Sequence, residues 1–289
     1  MSKVLVTGAN GQLGSEMREL SSHYPQYTFT FADRSTLDLS NLYQFEDYFD
    51  NNRFDAIINC AAYTAVDKAE SESDLTDSIN HRFVSMLANI AKRDDSTLIH
   101  ISTDYVYDGK NHHPYIESDP TDPQGVYGRT KRDGENAILE AAPSNSIIIR
   151  TSWVYSSFGN NFVKTMLRLG RERDSLGVIF DQIGTPTYAH DLAETILEIL
   201  PKIHNKVPEI YHYSNEGAAS WYDFAKAIFE LSDISSQVNP ITTDQYPTPA
   251  TRPHYSLLNK AKIKNDFGIT IPYWRDSLKA CLITLGEIK

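Results

Sequence analysis

The chain has 289 residues, of which 40% are hydrophobic and 22% are charged, and its formal net charge is −11 at pH 7. This composition is ordinary for a folded globular protein. The negative balance argues against nucleic acid or an anionic membrane as a partner, because proteins that bind them present basic surfaces. No apolar run approaches the roughly 18 residues that span a membrane. We therefore expect a cytoplasmic protein that is neither secreted nor membrane-bound.

The cysteine and histidine content gives no sign of a metal centre. Cys60 and Cys281 are the only cysteines, and they lack the spacing of metal ligands. Two cysteines are too few for a disulfide framework, which fits a reducing compartment. The adjacent His112 and His113 are interpreted as an exposed loop pair. We expect no metal site from these residues.

Short β-branched or apolar runs alternate with helix-length segments in the first half of the chain. The runs lie at 4–6, 28–31, 56–59, 98–101 and 147–149. The intervening segments predict helices at 12–21, 42–51, 74–92 and 127–141. Parallel strands need helical crossovers, and strands covered on both faces are continuously apolar. The pattern predicts an α/β fold with a Rossmann-type, doubly wound parallel sheet.

Three glycines, Gly8, Gly11 and Gly14, lie between the first predicted strand and the first predicted helix. Glycines let the backbone turn tightly and approach a pyrophosphate, whose charge is attracted by the positive end of the helix. A glycine triplet alone is weak evidence, but the G-x-x-G-x-x-G spacing is similar to that of extended short-chain dehydrogenases/reductases. We therefore predict a nicotinamide dinucleotide at this loop.

Asp33 and Arg34 end the second predicted strand, where the dinucleotide's adenosine ribose is expected. An acidic residue there accepts hydrogen bonds from ribose hydroxyls, whereas an arginine binds a 2′-phosphate. The sequence contains both, so it leaves NADH and NADPH open. Asp38 either faces the adenine or caps the helix predicted to begin at Leu42.

A Tyr-x-x-x-Lys pair, Tyr127 and Lys131, is predicted to lie on one face of a helix. A neighbouring cation lowers the pKa of a phenol from about 10, so Tyr127 is expected to exchange a proton near neutral pH while Lys131 also binds the nicotinamide ribose. Such a pair alone is more often a surface feature. Here the pair follows a glycine loop and Thr103 in the chain. Thr103 is predicted to lie at the carboxyl end of the fourth strand, where ligands bind in open α/β sheets. We predict a site that reduces a carbonyl.

After about residue 150 the regular alternation gives way to Gly, Pro and aromatic residues, notably at 156–161 and 246–253. We assign 1–150 to a dinucleotide-binding domain and 151–289 mainly to a smaller substrate-binding lobe. Residues 187–200 again predict an amphipathic helix, and no flexible linker separates the halves. The lobe is therefore expected to be discontinuous, with part of 175–200 joining the first domain.

Seven segments carry a resemblance that extends over nearly the whole chain. They are 7–14 (TGANGQLG), 61–70 (AAYTAVDKAE), 102–107 (STDYVY), 150–155 (RTSWVY), 160–162 (NNF), 181–187 (DQIGTPT) and 252–256 (RPHYS). Together they resemble the dTDP-4-dehydrorhamnose reductase family. The resemblance implies NAD(P)H-dependent reduction of dTDP-4-dehydro-β-L-rhamnose to dTDP-β-L-rhamnose, the last step in making this sugar donor.

The resemblance also implies roles for individual residues. Tyr127 and Lys131 would be catalytic, and Thr103 would tune the proton transfer. The residues implied to contact the dinucleotide, besides the loop glycines and Asp33 and Arg34, are Gln12, Leu13, Asp38, Leu39, Ala62, Tyr63, Thr64, Tyr127 and Lys131.

The sugar nucleotide is implied to contact Asp104, Tyr105 and Trp153. Trp153 is equally well interpreted as a core aromatic, because an indole suits both burial and stacking on a ring. Arg252 is a candidate clamp for the diphosphate, since guanidinium groups match phosphate oxygens. A solvated loop arginine is the alternative.

Members of the family sometimes dimerise through Mg²⁺ held by glutamates. Glu16 matches one such ligand, but His190 and Asp191 stand where another is expected. The sequence therefore argues against metal-linked dimerisation and leaves monomer and homodimer open.

Two other functions are compatible with these motifs. A nucleotide-sugar epimerase or dehydratase shares the fold and the Tyr/Lys pair but recycles its cofactor. A non-catalytic regulatory subunit, similar to the β subunit of methionine adenosyltransferase, would act by binding a partner. The presence of Thr103, Tyr127 and Lys131 argues against loss of catalysis.

Overall fold

The protein is described by a computed structural model that covers residues 2–37 and 42–288. Within these residues the strands are β1 (Ser2–Thr7), β2 (Tyr27–Ala32), β3 (Ala56–Asn59), β4 (Thr97–Thr103), β5 (Ser146–Thr151), β6 (Val154–Tyr155), β7 (Ser175–Ile179), β8 (Ile183–Gly184), β9 (Thr187–Tyr188), β10 (Glu209–His212), β11 (Ala219–Ser220) and β12 (Gln237–Ile241). The α-helices are α1 (Gln12–Leu20), α2 (Leu42–Asn51), α3 (Val66–Ala69), α4 (Ser73–Asp77), α5 (Phe83–Asp94), α6 (Val126–Ala141), α7 (Phe162–Glu172), α8 (Ala189–Ile199), α9 (Trp221–Leu231), α10 (Ala261–Phe267) and α11 (Trp274–Thr284).

Six of these strands form one parallel sheet in the order β10-β5-β4-β3-β1-β2. The predicted α/β class with a Rossmann-type parallel sheet is thereby confirmed. The strand order reverses beside β1, and ligands of open α/β sheets bind at such a point, beyond the carboxyl ends of the strands. This edge of the sheet is therefore the first place to look for a site.

Helices cover both faces of this sheet. Alternate residues of a strand point to opposite sides, and in these strands both sets are apolar and need to be buried. Val4 and Val6 of β1 belong to a buried cluster with residues of α1 and α8. Leu5 and Ile57 belong to a second cluster with residues of α2 and α5 on the other face. The sheet is thus buried on both sides, as its continuously apolar strands predict.

The second half of the chain contributes to both the sheet and a separate apolar cluster. Helix α8 packs on α1, and β10 pairs with β5 through Glu209–His212. A further cluster is formed by α7, α9 and α11 with β7 and β12. The division into a dinucleotide-binding domain and a discontinuous lobe stays a prediction, and β10 is a strand that the sequence did not indicate.

The helix predicted over 74–92 consists of α4, a π-helical turn at Ser78–Arg82 and α5. The turn contains buried Asn80, whose Oδ1 accepts a hydrogen bond from Tyr63 N at 2.8 Å and whose Nδ2 donates to Tyr63 O at 3.1 Å. Asn80 thereby fixes the loop that follows β3. None of the helices among the described residues is long and apolar enough to cross a membrane.

Candidate active site

A cavity of about 810 Å³ lies at the carboxyl ends of β1, β3 and β4. Most of the predicted site residues that the structure describes line it: Gly8, Gly11, Gln12, Leu13, Asp33, Arg34, Ala62, Tyr63, Thr64, Thr103, Asp104, Tyr105, Tyr127, Lys131 and Trp153. Gly14 and Arg252 are not among its lining residues. Asp38 and Leu39 lie outside the described residues, so their roles stay predictions.

The glycine loop has the geometry that a dinucleotide requires. Gly8 has a left-handed backbone with φ of 65°, and a Cβ there would lie 2.7 Å from Ala61 N. A Cβ on Gly14 would lie 2.4 Å from the carbonyl oxygen of Gly8. Gly11 directly precedes α1 and has no side chain to cap it. The positive end of the helix therefore lies at the glycine loop without a side-chain cap. These residues fit a pyrophosphate.

Asp33 is held by the turn that follows β2. Its Oδ1 accepts hydrogen bonds from the hydroxyl of Ser35 at 2.6 Å and from the backbone N of Thr36 at 3.1 Å. Its Oδ2 accepts from Asn10 Nδ2 at 3.0 Å. These bonds, chiefly those from Ser35 and Thr36, hold the pKa of Asp33 well below its usual value. Asp33 is therefore an ionised acceptor beside Arg34 in the cavity wall.

We expect Arg34→Ala to weaken NADPH binding by about 1.5–3 kcal/mol, the scale of hydrogen bonds to a charged group. NADH lacks the 2′-phosphate, so its affinity should change little. Asp33→Ala should do the reverse, because it removes a ribose acceptor and a negative charge that repels the phosphate. Titration of each variant with both dinucleotides measures this. Equal losses for both cofactors in Arg34→Ala would show that Arg34 has no part in choosing between them.

Tyr127 and Lys131 lie one turn apart near the start of α6 and face the same cavity. Lys131 is buried, and its Nζ donates a hydrogen bond to the carbonyl oxygen of Ile101 at 2.6 Å. Tyr127 packs edge-on against Tyr105, with ring centroids 5.4 Å apart. The structure thus brings together the two residues that the sequence paired.

The expectation that Lys131 lowers the pKa of Tyr127 is wrong for the site without a dinucleotide. Burial raises the pKa of Tyr127 to about 12; the hydrogen bond with Thr103 lowers it by less, and the charge of Asp104 raises it by less still. Burial lowers the pKa of Lys131 to about 8, although Glu135 opposes this. Loss of solvent dominates the shift of Tyr127, so Tyr127 is a protonated phenol at neutral pH.

Asp104 is a buried carboxyl group at the end of β4. Its Oδ1 accepts a hydrogen bond from the hydroxyl of Thr103 at 3.0 Å, whereas its buried Oδ2 has no partner among the described residues. Burial raises the pKa of Asp104 to about 6, against hydrogen bonds from Ser256 and Thr103. A buried carboxylate oxygen without a hydrogen-bond partner is costly in a folded protein.

Asp104→Asn should stabilise the fold at pH 7 by about 1–3 kcal/mol. The pKa of Asp104 rises from 3.8 to about 6 on folding, so the native state binds a proton more tightly, and ionisation costs stability as the pH rises through this window. The gain in stability from Asp104→Asn should therefore disappear below pH 3.8, where the carboxyl group is protonated in both the folded and the unfolded state. Guanidinium unfolding at pH 7 and at pH 3.5 measures both parts. The same gain at both pH values would mean that ionisation is not the cause.

Trp153 stacks on Trp221, with ring centroids 3.7 Å apart and an interplanar angle of 11°. Trp153 has a left-handed backbone with φ of 49°, a conformation that costs energy in residues other than glycine and is found often at functional sites. Both indoles line the cavity. Trp221 was missed from sequence, although Ser220 and Asp223 form a capping box that marks it as the first residue of α9.

Asn161 was also missed by the sequence analysis. Its Nδ2 donates to Gln12 Oε1 at 2.9 Å and so ties the segment after β6 to the glycine loop. Gln12 in turn donates through Nε2 to the carbonyl oxygen of Val154 at 3.3 Å. Contacts over about 150 positions of sequence leave no local pattern.

Arg252 is paired with Asp67 in the structure. Its Nη2 lies 2.7 Å from Asp67 Oδ2 and its Nη1 lies 3.0 Å from Asp67 Oδ1. This pair links the segment near the C-terminus to α3. A role for Arg252 as a diphosphate clamp stays a prediction, and it would require exchange of Asp67 for phosphate oxygens.

Glu16 bonds to side chains of two other segments. The buried carboxylate accepts from the hydroxyl of Ser156 at 2.6 Å and contacts His190 Nδ1 at 3.2 Å. The hydrogen bond with Glu16 is the main cause that raises the pKa of His190. Within residues 2–37 and 42–288, no three His, Cys, Asp or Glu side chains are grouped to hold a metal.

A glycine loop before α1, a Tyr-x-x-x-Lys pair on α6 and a hydroxyl at the end of β4 define a Rossmann-type short-chain dehydrogenase/reductase. Residues 2–286 match the family described as the RmlD substrate binding domain. A dTDP-4-dehydrorhamnose reductase of Aggregatibacter actinomycetemcomitans is 44% identical over 288 residues, which are 96% of this chain and 98% of that protein. The chain belongs to the dTDP-4-dehydrorhamnose reductase family, which confirms the resemblance.

Two solved structures are similar over nearly the whole length. A dTDP-4-dehydrorhamnose reductase from Clostridium acetobutylicum is 40% identical with a TM-score of 0.93, and the match covers 98% of this chain and 99% of that one. A dTDP-4-dehydrorhamnose reductase from Bacillus anthracis, in complex with NADP, is 37% identical with a TM-score of 0.92 and the same coverage.

Proposed function

We propose that the chain catalyses the NAD(P)H-dependent reduction of the C4 ketone of dTDP-4-dehydro-β-L-rhamnose to dTDP-β-L-rhamnose. The observation that carries this proposal is the convergence of Thr103, Tyr127 and Lys131 on the same cavity as the glycine loop. Such a site holds a dinucleotide beside a proton donor, which is what carbonyl reduction needs. Family membership supports the choice of sugar nucleotide.

Each catalytic side chain has a distinct task in this proposal. Tyr127, protonated at neutral pH, gives a proton to the ketone oxygen while the bound dinucleotide supplies hydride to the carbon. Thr103 donates to Asp104 and also bonds to Tyr127, so its hydroxyl orients the phenol. To donate to the substrate oxygen as well, the Thr103 hydroxyl would turn its one hydrogen away from Asp104. Lys131 holds the dinucleotide's ribose and supports Tyr127. The developing alkoxide thus meets positioned donors and not bulk water.

The sugar nucleotide is proposed to lie against Asp104, Tyr105 and Trp153, which line the cavity beyond Tyr127. Arg252 would bind the diphosphate.

Net consumption of cofactor tests the proposed function. Purified protein should oxidise NADH or NADPH in proportion to added dTDP-4-dehydro-L-rhamnose, with the corresponding D-sugar ketones as controls. An epimerase or dehydratase would recycle its cofactor, and a regulatory subunit would consume none. Conversion of the sugar without net oxidation of either dinucleotide would therefore refute the proposal.

The cellular setting is a further part of the proposal. We place the protein in the cytoplasm as a monomer or homodimer that does not bind nucleic acid. The net charge of −11 supports the last point, and the free thiols of Cys60 and Cys281 support a reducing compartment. Gel filtration at several protein concentrations distinguishes the two oligomeric states.

A further inference from the structure

Three polar side chains form a row across the neighbouring strands β1, β3 and β4 of the parallel sheet. Thr7 of β1 is in register with Asn59 of β3, which is in register with His100 of β4. Their relative exposures are 1%, 0% and 0%. The core of such a sheet is ordinarily apolar, and buried polar groups are costly unless they bond to one another. This row therefore needs an explanation.

Hydrogen bonds run along the row and end at the catalytic lysine. Thr7 Oγ1 donates to Asn59 Oδ1 at 2.6 Å, and Asn59 Nδ2 lies 2.9 Å from His100 Nδ1. On the other side of the ring, His100 Nε2 lies 3.3 Å from Lys131 Nζ. The imidazole is thus fixed by Asn59 at one nitrogen and faces Lys131 with the other.

The donors along this row determine the tautomer of His100. The backbone N–H of Ala61 can only donate, and it lies 3.3 Å from Asn59 Oδ1. Asn59 therefore directs its Nδ2 donor at His100 Nδ1, which must accept. Burial, and secondarily the charge of Lys131, hold the pKa of His100 far below its usual value, so the ring is neutral. Its hydrogen is then on Nε2 and points at Lys131.

An N–H donor facing Nζ favours one protonation state of Lys131. An ammonium group has three donors and no acceptor, whereas the neutral amine has a lone pair that accepts from Nε2–H. The carbonyl of Ile101 accepts from either form. Glu135, one turn along α6, favours the ammonium, but it is itself bound to Arg150 of β5 at 2.6 Å. His100 is the group of β4 that opposes Glu135.

We propose that His100 is a positioning residue that favours the neutral amine of Lys131 and so makes the lysine a stronger proton donor in the active site. The inference rests on the proposed function, in which Lys131 supports Tyr127. When Tyr127 has given its proton to the substrate oxygen, a proton that leaves Nζ restores the phenol. The amine lone pair then accepts from His100 Nε2–H, and Lys131 recovers a proton from solvent after product release.

Two substitutions remove the obligatory donor from Lys131. His100→Asn keeps a polar group beside Asn59 but does not reach Nζ. His100→Gln fills more of the ring's space, which limits entry of water, and its amide can turn its oxygen toward the ammonium. Either change should raise the apparent pKa of Lys131 by about one unit, a tenfold gain in proton affinity.

NMR of lysine labelled at Cε and Nζ measures the pH midpoint of the Lys131 titration directly. The Lys131 signal is assigned by its loss in Lys131→Met. Ser96→Ala is the matched control, because it removes another buried hydrogen bond, from Ser96 to the Phe54 carbonyl at 2.6 Å, just before β4 begins. It should lower stability without moving the Lys131 midpoint. The alkaline limb of the kcat profile should shift upward in both His100 variants but not in Ser96→Ala.

The two possible failures are distinguishable. An unchanged Lys131 midpoint in the His100 variants, with the wild type active as a reductase, would overturn the role of His100 and leave the proposed function intact. A raised midpoint in a protein that reduces no sugar nucleotide would support the role of His100 and refute the proposed function. A shift of equal size in Ser96→Ala would show that general loosening is the cause, and would also overturn the inference.

Discussion

Tyr127→Phe should lower turnover by about 10²–10⁴-fold, the usual contribution of a general acid, and leave dinucleotide affinity nearly unchanged. Burial raises the pKa of this phenol to about 12, so it carries its proton throughout the neutral range. The substitution leaves the glycine loop, which is expected to bind the pyrophosphate, unchanged. Steady-state rates and fluorescence titration with NADPH measure the two effects.

The expected loss is specific to chemistry. The aromatic ring of residue 127 would still pack against Tyr105, so the unfolding midpoint should remain close to that of the wild type. Turnover within a few fold of the wild type would remove Tyr127 from the mechanism. A large loss of NADPH affinity would instead place the hydroxyl in cofactor binding.

Glu135→Ala should destabilise the fold by about 3–5 kcal/mol, because it leaves a buried guanidinium without its counter-ion. Glu135 and Arg150 are both buried, and Arg150 bonds to the carboxylate through Nε at 3.0 Å and Nη2 at 2.6 Å. The remaining Nη1 donates to the hydroxyl of Tyr107 at 2.6 Å, which cannot neutralise the charge. Guanidinium unfolding measures the loss.

A double variant is the matched control for this prediction. Glu135→Leu with Arg150→Met removes both charges and fills similar volume, and such replacements of buried pairs are often neutral. It should therefore recover most of the stability that Glu135→Ala loses. If the double variant is as unstable as the single one, packing around α6 and β5 is the cause and not the unpaired charge.

Much of the first half of the fold was predictable because its signals are local. The apolar runs at β1, β3 and β5 are continuous, and each ends close to a glycine, a polar residue or a helix start. The spacing of the glycines predicts a tight turn between a strand and a helix. The Tyr-x-x-x-Lys spacing places both side chains on one face of a helix. These local patterns suffice to predict Gly8, Gly11, Tyr127 and Lys131 at one edge of the sheet.

The remaining features depend on contacts that are distant in sequence. Strand β10 carries Glu209 and His212, so it lacks the apolar pattern of a buried strand, and its place is set by pairing with β5. Trp221 reaches Trp153 from α9. The pKa of Tyr127 depends on how much solvent the folded cavity removes, and spacing alone gave the wrong direction. In the sequence His100 and Asn59 are only residues of predicted strands. Their contact follows from the register of β3 and β4, which no local pattern predicts.

The most direct test of the central claim follows the hydride. The protein would be given dTDP-4-dehydro-L-rhamnose with NADPH or NADH carrying deuterium at C4 of the nicotinamide, and the product sugar would be analysed by NMR and mass spectrometry. A reductase that uses this site transfers the hydrogen on one face of the nicotinamide, so the dinucleotide labelled on that face should give one deuterium at C4 of dTDP-L-rhamnose for each molecule oxidised. Product without deuterium at C4 from either labelled face, or no product at all, would contradict the account.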